Sequence, residues 1–431
     1  MNTWKASLAL ASSLVLLLVL SLRRGRTDAE ADARVEAGLG QPIPGLSDSQ
    51  LDQFEQGREV FARRFRPSEG LGPHFNAASC LSCHEEPAAG GSAPRYRDFF
   101  LVAQMNAEGK AAKIYPDCKD DGAAGSVLCL PSMVVPHYGP TDAPDAPVSA
   151  SVTHPAIPSN AAIVARRNAP PLFGIGLFRL VSDEEILSRA DPDDSDGDGI
   201  SGRVNRLPKE DNKIGRFGFK CQAATIEAFN RGALQNQMGI TSDSTTFKLG
   251  DASEEGIFRR LLGSRVAFAQ VSEPKDRIVD FDASYDPEIH RGELLDLVAF
   301  QENLAAPPRG AVTPRIARGE TAFAAIGCAS CHAQSLRIPS GLIHPYTDLL
   351  LHDMGPGLAD GIPMIEASGS EFRTQPLWGL CRHAPFLHDG RADTVEQAIL
   401  EHSGEAQASR ERYHALDEPE RQDLHRFLES L

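Results

Sequence analysis

Cys80-Leu-Ser-Cys83-His84 and Cys328-Ala-Ser-Cys331-His332 are the two stretches that decide the fold of this 431-residue chain. Two thiols three positions apart can each form a thioether with one vinyl group of a haem, and the adjacent histidine then ligates the iron. A zinc site or a pair of disulfides could also use these cysteines. Because the pattern occurs twice, it favours two covalently bound haem c groups, with His84 and His332 as axial ligands.

The surroundings of the two motifs indicate an internal repeat. Gly57-Arg-Glu-Val-Phe61 precedes the first motif, and Arg318-Gly-Glu-Thr-Ala-Phe323 precedes the second. Each predicts a helix that leads into a haem site, as in a cytochrome c-like unit. The first copy contains a Gly- and Pro-rich insertion at residues 66–78, and Ala305-Ala-Pro-Pro-Arg-Gly310 predicts a linker between the copies.

We therefore expect a mainly α fold with two cytochrome c-like haem domains, long loops, and a calcium-type loop inserted between the haem motifs. Residues 34–305 would form the N-terminal cytochrome c-like domain with large insertions, and residues 310–431 the C-terminal cytochrome c-like domain. Short strands are expected near residues 99–102 and 132–135. Helices are expected at residues 183–189, 293–303, 394–401 and 418–431.

The first 33 residues predict an export signal or a membrane anchor. An apolar run at residues 7–22 follows Lys5 and precedes Arg23, Arg24 and Arg26. Arginines after the run fit a cleavable signal poorly, so an uncleaved anchor is the alternative. Because haem is attached covalently outside the cytoplasm, we expect a periplasmic location, with membrane contact only through this segment.

The charge of the chain limits its partners. The formal net charge is −16 at pH 7. Such an acidic surface disfavours nucleic acid as a partner. It would suit a small redox protein as electron donor or acceptor.

Four cysteines lie outside the haem motifs, namely Cys118, Cys129, Cys221 and Cys381. An even remainder in an exported protein favours disulfides. Cys118 and Cys129 bracket a short Asp/Gly loop and are the better pair. Cys221 and Cys381 could form a second disulfide, or a redox-active dithiol.

An acidic loop at residues 191–202 predicts a site for a hard cation. Carboxylates at alternate positions and a glycine at the sixth match the start of an EF-hand-type loop. An acidic, solvated turn is the alternative. The loop lacks the bidentate glutamate of a full EF-hand at its twelfth position, so weaker Ca²⁺ binding is expected. The expected ligands are Asp194, Asp196, Asp198, the carbonyl of Ile200, and Asn205.

Longer motifs resemble known dihaem proteins. Pro376-Leu-Trp-Gly-Leu-Cys-Arg-His-Ala-Pro-Phe-Leu-His-Asp-Gly390 resembles the C-terminal haem domain of bacterial dihaem cytochrome c peroxidases and MauG-type enzymes. Three further stretches are similar to the di-haem oxidoreductase family, also labelled thiol oxidoreductase. They are Arg167-Asn-Ala-Pro-Pro-Leu-Phe-Gly-Ile-Gly-Leu-Phe178, Gly215-Arg-Phe-Gly-Phe219 and Tyr346-Thr-Asp-Leu-Leu-Leu-His-Asp-Met-Gly355. This resemblance extends from about Gly45 to the end of the chain.

The resemblance implies a ligand pair for the C-terminal haem. In the peroxidases, a methionine fourteen residues after the histidine of the His-Asp-Gly motif binds the electron-transfer haem, and MauG-type enzymes have tyrosine there. Here that position is His402, fourteen residues after His388. The resemblance therefore implies His332 and His402 as axial ligands. Met354 and His352 are the competing candidates.

The resemblance also places the catalytic haem in the N-terminal domain. The peroxidases have a distal glutamine, followed ten residues later by a glutamate beside Met-Gly. In this chain Glu227 comes first, and Gln237 precedes Met-Gly, so the two residues are exchanged. Glu227 would then be the base that moves a proton between the peroxide oxygens, and Gln237 would only hydrogen-bond.

Three further points about the haems stay open in the sequence. The peroxidases have a bridging tryptophan in a segment that aligns near Phe217 and Phe219, and Trp378 is the possible substitute. The distal ligand of the N-terminal haem could be His74, His137 or His154. Three arginines could pair with haem propionates, namely Arg166, Arg167 and Arg391.

The sequence thus predicts an exported dihaem c-type cytochrome oxidoreductase that is peroxidase-like. One haem would react with peroxide or another small oxidant, and the other would relay electrons. A non-catalytic dihaem electron-transfer protein is the alternative. A third possibility couples the dithiol of Cys221 and Cys381 to the haems.

Overall fold

Helices and short strands alternate along the chain. The computed structural model describes residues 35–72, 75–106, 111–113, 134–138, 157–242, 284 and 287–431. The α-helices are α1 (Asp48–Ala62), α2 (Asp183–Leu187), α3 (Ile226–Ala233), α4 (Arg291–Glu302), α5 (Pro314–Ala325), α6 (Gly355–Leu358), α7 (Val395–Glu401), α8 (Gln407–Ala415) and α9 (Glu418–Leu428). The strands are β1 (Phe99–Met105), β2 (Ala111–Lys113), β3 (Val134–Val135), β4 (Ile163–Arg167), β5 (Arg206–Leu207), β6 (Lys213–Ile214), β7 (Leu336–Ile338), β8 (Gly341–Ile343), β9 (Leu351–Asp353) and β10 (Glu371–Arg373).

Hydrogen bonds from side-chain caps determine where helices α1 and α5 begin. At α1, Ser47 accepts a hydrogen bond from the backbone of Gln50, while the Gln50 side chain accepts one from the backbone of Ser47. At α5, the side chain of Thr313 accepts a hydrogen bond from the backbone of Ile316, and proline occupies the first helical position. These caps satisfy amide groups that have no partner within the helix, and so fix the first turn.

One pair of crossing helices packs in each half of the molecule. In the first, α1 crosses α4, and a Cβ atom at Gly57 would lie 1.9 Å from the carbonyl oxygen of Asp296. In the second, α5 crosses α9, and a Cβ atom at Gly319 would lie 2.0 Å from the carbonyl oxygen of Asp423. Only glycine permits so close an approach of two helices. The paired crossings agree with the repeat that the two glycine motifs indicated.

Aromatic side chains extend the correspondence between the halves. Phe61 follows Gly57 on α1 and packs on Phe300, with ring centroids 4.9 Å apart. Phe323 follows Gly319 on α5 and packs on Phe427, with ring centroids 5.2 Å apart. Each aromatic pair is buried and leads into the haem motif of its half.

Strands are more numerous than the sequence indicated. In the N-terminal half, β1 pairs antiparallel with β2, β3 and β4, and Phe100 lies opposite Val135 as expected for the two predicted strands. Three two-stranded antiparallel units join β5 to β6, β7 to β8 and β9 to β10. The description mainly α is therefore too simple, because short strands occur in both halves.

A central apolar cluster joins the halves. It combines Leu177, Phe178 and Phe217 with Leu336 and Leu350, all of which are buried. The expected linker at residues 305–310 contributes to this cluster. Ala306 and Val35 both belong to it, and the amide of Ala306 donates a hydrogen bond to the carbonyl oxygen of Val35.

Several predictions fall outside the described residues. Among the residues that the structure describes, no helix is long and apolar enough to cross a membrane. The apolar run at residues 7–22 lies outside them, as do His74, His154, Cys118 and Cys129.

Candidate functional site

A cavity in the C-terminal half has the second cysteine motif in its wall. Cys328, Cys331 and His332 all line it. Most of the remaining wall is apolar or aromatic, including Phe323, Phe372, Leu377, Trp378, Leu380 and Phe386. An apolar cleft with thiols and one imidazole in its wall is suited to a haem.

His332 is oriented by the protein backbone. Its Nδ1 lies 2.9 Å from the carbonyl oxygen of Tyr346 and therefore donates to it, which leaves Nε2 free to bind a metal. The Tyr346 hydroxyl donates in turn to Glu320 over 2.6 Å, and Arg309 also donates to Glu320. Burial is the main cause that lowers the pKa of His332 to about 4, so the imidazole is neutral at pH 7.

His402 faces the same cavity at the end of α7. Its Nδ1 lies 2.6 Å from the carbonyl oxygen of Ala398 and donates to it, so this imidazole also keeps Nε2 for a metal. Burial lowers the pKa of His402, and a charge on His402 would contribute to lowering the pKa of His332. The two predicted ligands of the C-terminal haem thus line one cavity and interact electrostatically.

The sequence made His352 a competing candidate for the second ligand of the C-terminal haem. In this arrangement His352 cannot be an axial ligand. Its Nδ1 lies 2.7 Å from Glu405 and its Nε2 lies 2.8 Å from Asp348, so both nitrogens donate. Burial opposes protonation, but hydrogen bonds to Asp348, Cys331 and Glu405 outweigh it and raise the pKa of His352 to about 12. A doubly protonated imidazole has no lone pair for iron.

Met354 also lines the cavity and keeps its place as the competing ligand. It precedes α6, and its carbonyl oxygen accepts a hydrogen bond from Ser403 over 2.5 Å. The segments that hold Met354 and His402 are therefore in direct contact.

The first cysteine motif forms a similar arrangement in the N-terminal half. The Nδ1 of His84 lies 3.1 Å from the carbonyl oxygens of both Gly91 and Pro170. Phe61 lies 6.2 Å from the His84 ring, as Phe323 lies 6.3 Å from the ring of His332. Burial lowers the pKa of His84, so its Nε2 too is available for a metal.

The thiols of both motifs are neutral. Burial raises the pKa of Cys80 to about 12 and that of Cys83 to about 11. It also raises the pKa of Cys328 to about 12 and increases that of Cys331. Each motif thus presents two buried thiols and one oriented imidazole, which is the donor set that haem c requires.

Gln237 belongs to a polar group beside the first motif. It lies in a π-helical turn, Leu234–Met238, that continues α3. Its side-chain oxygen accepts from Asn76 over 2.8 Å, and the oxygen of Asn76 lies 2.7 Å from both the backbone nitrogen and the Nδ1 of His137. Of the three possible distal histidines, His137 is the one within the described residues.

Glu227 has different partners from Gln237. It lies near the start of α3 and pairs with Arg231 over 2.7 Å and with Arg291 over 3.3 Å. The structure therefore places the predicted base in an ion pair, rather than beside Gln237.

The acidic loop brings together a different set from the one that EF-hand spacing predicted. Carboxylate oxygens of Asp191, Asp194 and Asp196 lie within 4.8 Å of one another. Asp198 instead accepts a hydrogen bond from the backbone of Ile200 over 2.9 Å. Ile200 also lines the C-terminal cavity, so the loop ends at the haem site.

The prediction of Asn205 as a cation ligand is wrong. Asn205 is fully buried, and its side-chain amide donates to the carbonyl oxygens of Lys220 and Met364. Its oxygen accepts from the backbone of Glu366. The prediction took Asn205 from the twelfth position of an EF-hand-type loop. It failed because the chain leaves the acidic loop before residue 205.

A buried charged cluster gave no sequence signal. Arg167 forms an ion pair with Asp360, and each side chain is only 2% exposed. Lys220 lies 3.4 Å from the same carboxylate and 4.0 Å from the ring centroid of Phe372, which stacks on His388. Burial lowers the pKa of His388 to about 3. The cluster is therefore adjacent to Phe372 and His388, which line the C-terminal cavity.

The three arginines considered for propionates have protein partners. Arg166 lies 3.6 Å from Asp98, and Arg391 lies 2.7 Å from Asp389. Arg167 pairs with Asp360, but its Nη1 atom is buried without a hydrogen-bond partner. Of the three, only Arg167 has such an unpaired, buried nitrogen.

A disulfide between Cys221 and Cys381 is contradicted. Both are free thiols, with Cys221 buried and Cys381 exposed. The thiol of Cys221 points to the carbonyl oxygen of Leu349, and burial raises its pKa to about 12. A buried, neutral thiol is a poor nucleophile, so the structure gives the dithiol hypothesis no support.

A family model described as "Di-haem oxidoreductase, putative peroxidase" matches residues 110–431. The chain belongs to this di-haem oxidoreductase family. Two haem groups and oxidoreductase chemistry follow from membership. Among curated proteins, none matches the sequence.

Solved structures similar to this di-haem oxidoreductase include the following three proteins. A MauG-like protein associated with microbial copper homeostasis is 15% identical, with TM-score 0.37 and coverage of 93% of this chain and 92% of the other. The diheme peroxidase BthA from Burkholderia thailandensis is 17% identical, with TM-score 0.38 and coverage of 92% and 87%. Hydrazine synthase from Kuenenia stuttgartiensis is 14% identical, with TM-score 0.36 and coverage of 92% and 95%. Likeness at this level adds no argument about function.

One segment of the di-haem oxidoreductase contacts both sites. Pro170 accepts from His84 of the first motif, and the same proline lines the cavity of the second. Trp378 lines that cavity elsewhere and stacks on Phe178, with ring centroids 5.6 Å apart. Phe219 is in the cavity wall as well. Pro170 therefore links the first motif directly to the cavity of the second.

Proposed function

We propose that this chain is an exported dihaem c-type cytochrome with peroxidase-like oxidoreductase activity. One observation supports it above all: each Cys-x-x-Cys-His motif holds its histidine by a hydrogen bond from Nδ1 to a backbone carbonyl, which leaves Nε2 for iron. Membership of the di-haem oxidoreductase family agrees with this proposal.

The C-terminal site would be the electron-transfer site. His332 and His402 would occupy both axial positions of its iron, and Cys328 and Cys331 would form the thioethers. A filled sixth position disfavours reaction with peroxide and favours electron transfer. Met354 is the alternative to His402, because it lines the same cavity.

The N-terminal site would be the catalytic one. When bound there, a haem supplies the two-electron reduction of hydrogen peroxide, which consumes two protons and yields two molecules of water. A small redox protein would supply the two electrons one at a time. Gln237, held by Asn76, would orient the oxidant by hydrogen bonding. Glu227 would accept a proton only if it leaves its ion pairs with Arg231 and Arg291.

The acidic loop would bind Ca²⁺ with moderate affinity. Asp191, Asp194 and Asp196 converge, and their mutual repulsion would be relieved by a divalent cation. Because the loop ends in the wall of the C-terminal cavity, the cation would have a structural role there. The protein would lie in the periplasm, with residues 1–33 as export signal or anchor.

The EPR spectrum of the oxidised holoprotein, recorded with Ca²⁺ before and after peroxide, tests the activity. A high-spin ferric signal that peroxide converts is the expected result. Two low-spin signals that do not respond, even after one-electron reduction, would instead make this a dihaem electron-transfer protein.

Cysteine variants test the attachment of the haems. Substitution of both Cys328 and Cys331 by alanine should remove one of two covalent haems, which halves the pyridine haemochrome and lowers the protein mass by one haem. Cys221→Ser is the matched control, because this cysteine is buried but lies outside the motifs. Two retained haems in the double variant would contradict thioether attachment.

Calorimetric titration tests the cation site. Asp194→Asn together with Asp196→Asn should abolish Ca²⁺ binding. The exposed Asp193 lies in the same loop but outside the cluster, so Asp193→Asn should retain binding despite its lost charge. Equal binding by all three proteins would refute the site.

A further inference from the structure

Glu405 connects three separate segments of the chain around the C-terminal cavity. It lies in a single turn, Gly404–Ala406, three residues after His402. One carboxylate oxygen accepts from the hydroxyl of Ser201 over 2.9 Å and from the backbone of Asp353 over 3.1 Å. The other accepts from the backbone of Ser201 over 3.1 Å and from His352 over 2.7 Å. Four donors thus converge on one side chain that is 10% exposed.

The turn that contains Glu405 packs tightly against β9. A Cβ atom at Gly404 would lie 2.2 Å from the carbonyl oxygen of Asp353. On the other side of this glycine, the hydroxyl of Ser403 donates to the carbonyl oxygen of Met354. The chain that follows His402 is therefore fixed by hydrogen bonds that the side chain of Ser403 donates and the side chain of Glu405 accepts.

The partners of Glu405 are themselves anchored. His352 is held between Glu405 and the buried Asp348, and its Nδ1 lies 3.5 Å from the sulfur of Cys331. Ser201 follows Ile200, which lines the cavity. Contacts of Glu405 thus reach two segments that line the cavity, one at Ile200 and one at His352.

We propose that Glu405 is a positioning residue that holds His402 in place as an axial ligand. This inference rests on the ligation proposed above for the C-terminal haem. A ligand on a fixed turn loses little conformational freedom when it binds iron, whereas a ligand on a loosened turn dissociates more often. Glu405 would therefore determine how long the sixth position stays closed.

The charge of Glu405 is essential to this role. All four of its partners are donors, and a carboxylate can accept all four because both oxygens are acceptors. In Glu405→Gln the new amide group would face at least one donor and lose that hydrogen bond. The variant keeps the size of the side chain, so packing is preserved.

Cyanide binding to the oxidised holoprotein tests the proposal. Cyanide reaches this iron only after His402 leaves, so its binding rate reports the opening of the sixth position. Near-infrared magnetic circular dichroism identifies the bis-histidine haem before addition. We expect Glu405→Gln to accelerate cyanide binding at this haem at least about tenfold, which corresponds to about 1.4 kcal/mol. Ser201→Ala removes one of the four hydrogen bonds and should give a smaller acceleration.

Glu411→Gln is the matched control. Glu411 is an exposed glutamate on α8 that accepts from Gln407 of the same helix, so its variant should bind cyanide at the wild-type rate. If Glu405→Gln fails to fold, Ser201→Ala decides the question. A wild-type protein with a bis-histidine haem, but with unchanged rates in both variants, would overturn the inference alone. A wild-type protein without a bis-histidine haem would overturn the inference and the proposed ligation together.

Discussion

The Nδ1 atom of His84 lies 3.1 Å from the carbonyl oxygen of Pro170, and Pro170 also lines the cavity beside the other cysteine motif. His84 of the first motif is thus connected to the cavity of the second motif through one hydrogen bond and through Pro170. A bridge of this kind does not need a tryptophan. If haems bind at both motifs, as proposed above, we expect electrons to pass between them along this path.

We predict that Trp378→Phe leaves electron transfer between the haems nearly unchanged. The indole stacks on Phe178 and lies in the cavity wall, whereas the path from His84 runs through Pro170. Flash photolysis of the half-reduced protein measures the rate. A large fall in rate in Trp378→Phe would show that electrons pass through the indole instead.

His402→Met should raise the reduction potential of the C-terminal haem by on the order of tenths of a volt, because thioether ligation favours ferrous iron. Met354→Leu is the matched change, and it should leave the potential unaltered if His402 is the ligand. Spectroelectrochemical titration of each haem provides the measurement. The opposite pattern, in which only the Met354 variant shifts the potential, would make Met354 the ligand.

The ammonium group of Lys220 gives the stability of the fold a pH dependence. Burial lowers the pKa of Lys220 to about 8, from 10.5 in the unfolded chain. Between these values the unfolded state binds more protons, so this residue adds stability as pH rises. Relative to Lys220→Met, the free energy of unfolding of the wild-type protein should increase by roughly 3 kcal/mol from pH 8 to 10.5.

Urea denaturation followed by circular dichroism measures this difference. The Lys220→Met side chain does not titrate, so other groups cancel in the comparison. A difference that stays constant or falls over this pH range would mean that the folded protein retains the proton on Lys220.

Glycine at the two helix crossings is predicted to be essential for stability. Gly57→Ala and Gly319→Ala should each cost about 1–3 kcal/mol or more, because the added methyl group meets a carbonyl oxygen of the opposing helix. Gly232→Ala on α3 is the control. Its Cβ would have its nearest neighbour 3.9 Å away, so it should gain about 0.5–1 kcal/mol from helix propensity. Thermal unfolding of the three variants separates these effects, and equal melting temperatures would contradict the clash.

Sequence reasoning was most informative where the spacing of residues or a family resemblance points to one position. The cysteine motifs predicted His84 and His332 as ligands, and the resemblance to the peroxidases predicted His402, which the structure places in the same cavity as His332. The glycine motifs indicated the repeat because a close helix crossing needs glycine at one position.

Spacing failed where a side chain has partners outside the motif. His352 was a reasonable ligand until the structure placed Asp348 and Glu405 on its two nitrogens. Asn205 occupies the twelfth position of the motif, but its side chain binds backbone carbonyls outside the loop. Asp191 precedes the motif, yet it belongs to the carboxylate cluster. Strands of two or three residues, such as β9, are too short to show alternation in a sequence.

The two glycine crossings have a consequence for the origin of the molecule. Gly57, Phe61 and Phe300 in one half take the same places as Gly319, Phe323 and Phe427 in the other. Duplication of one ancestral haem-binding helix pair would leave such a pattern. The helix pairs have kept their geometry, so any difference in reactivity between the two sites must come from the segments added around them.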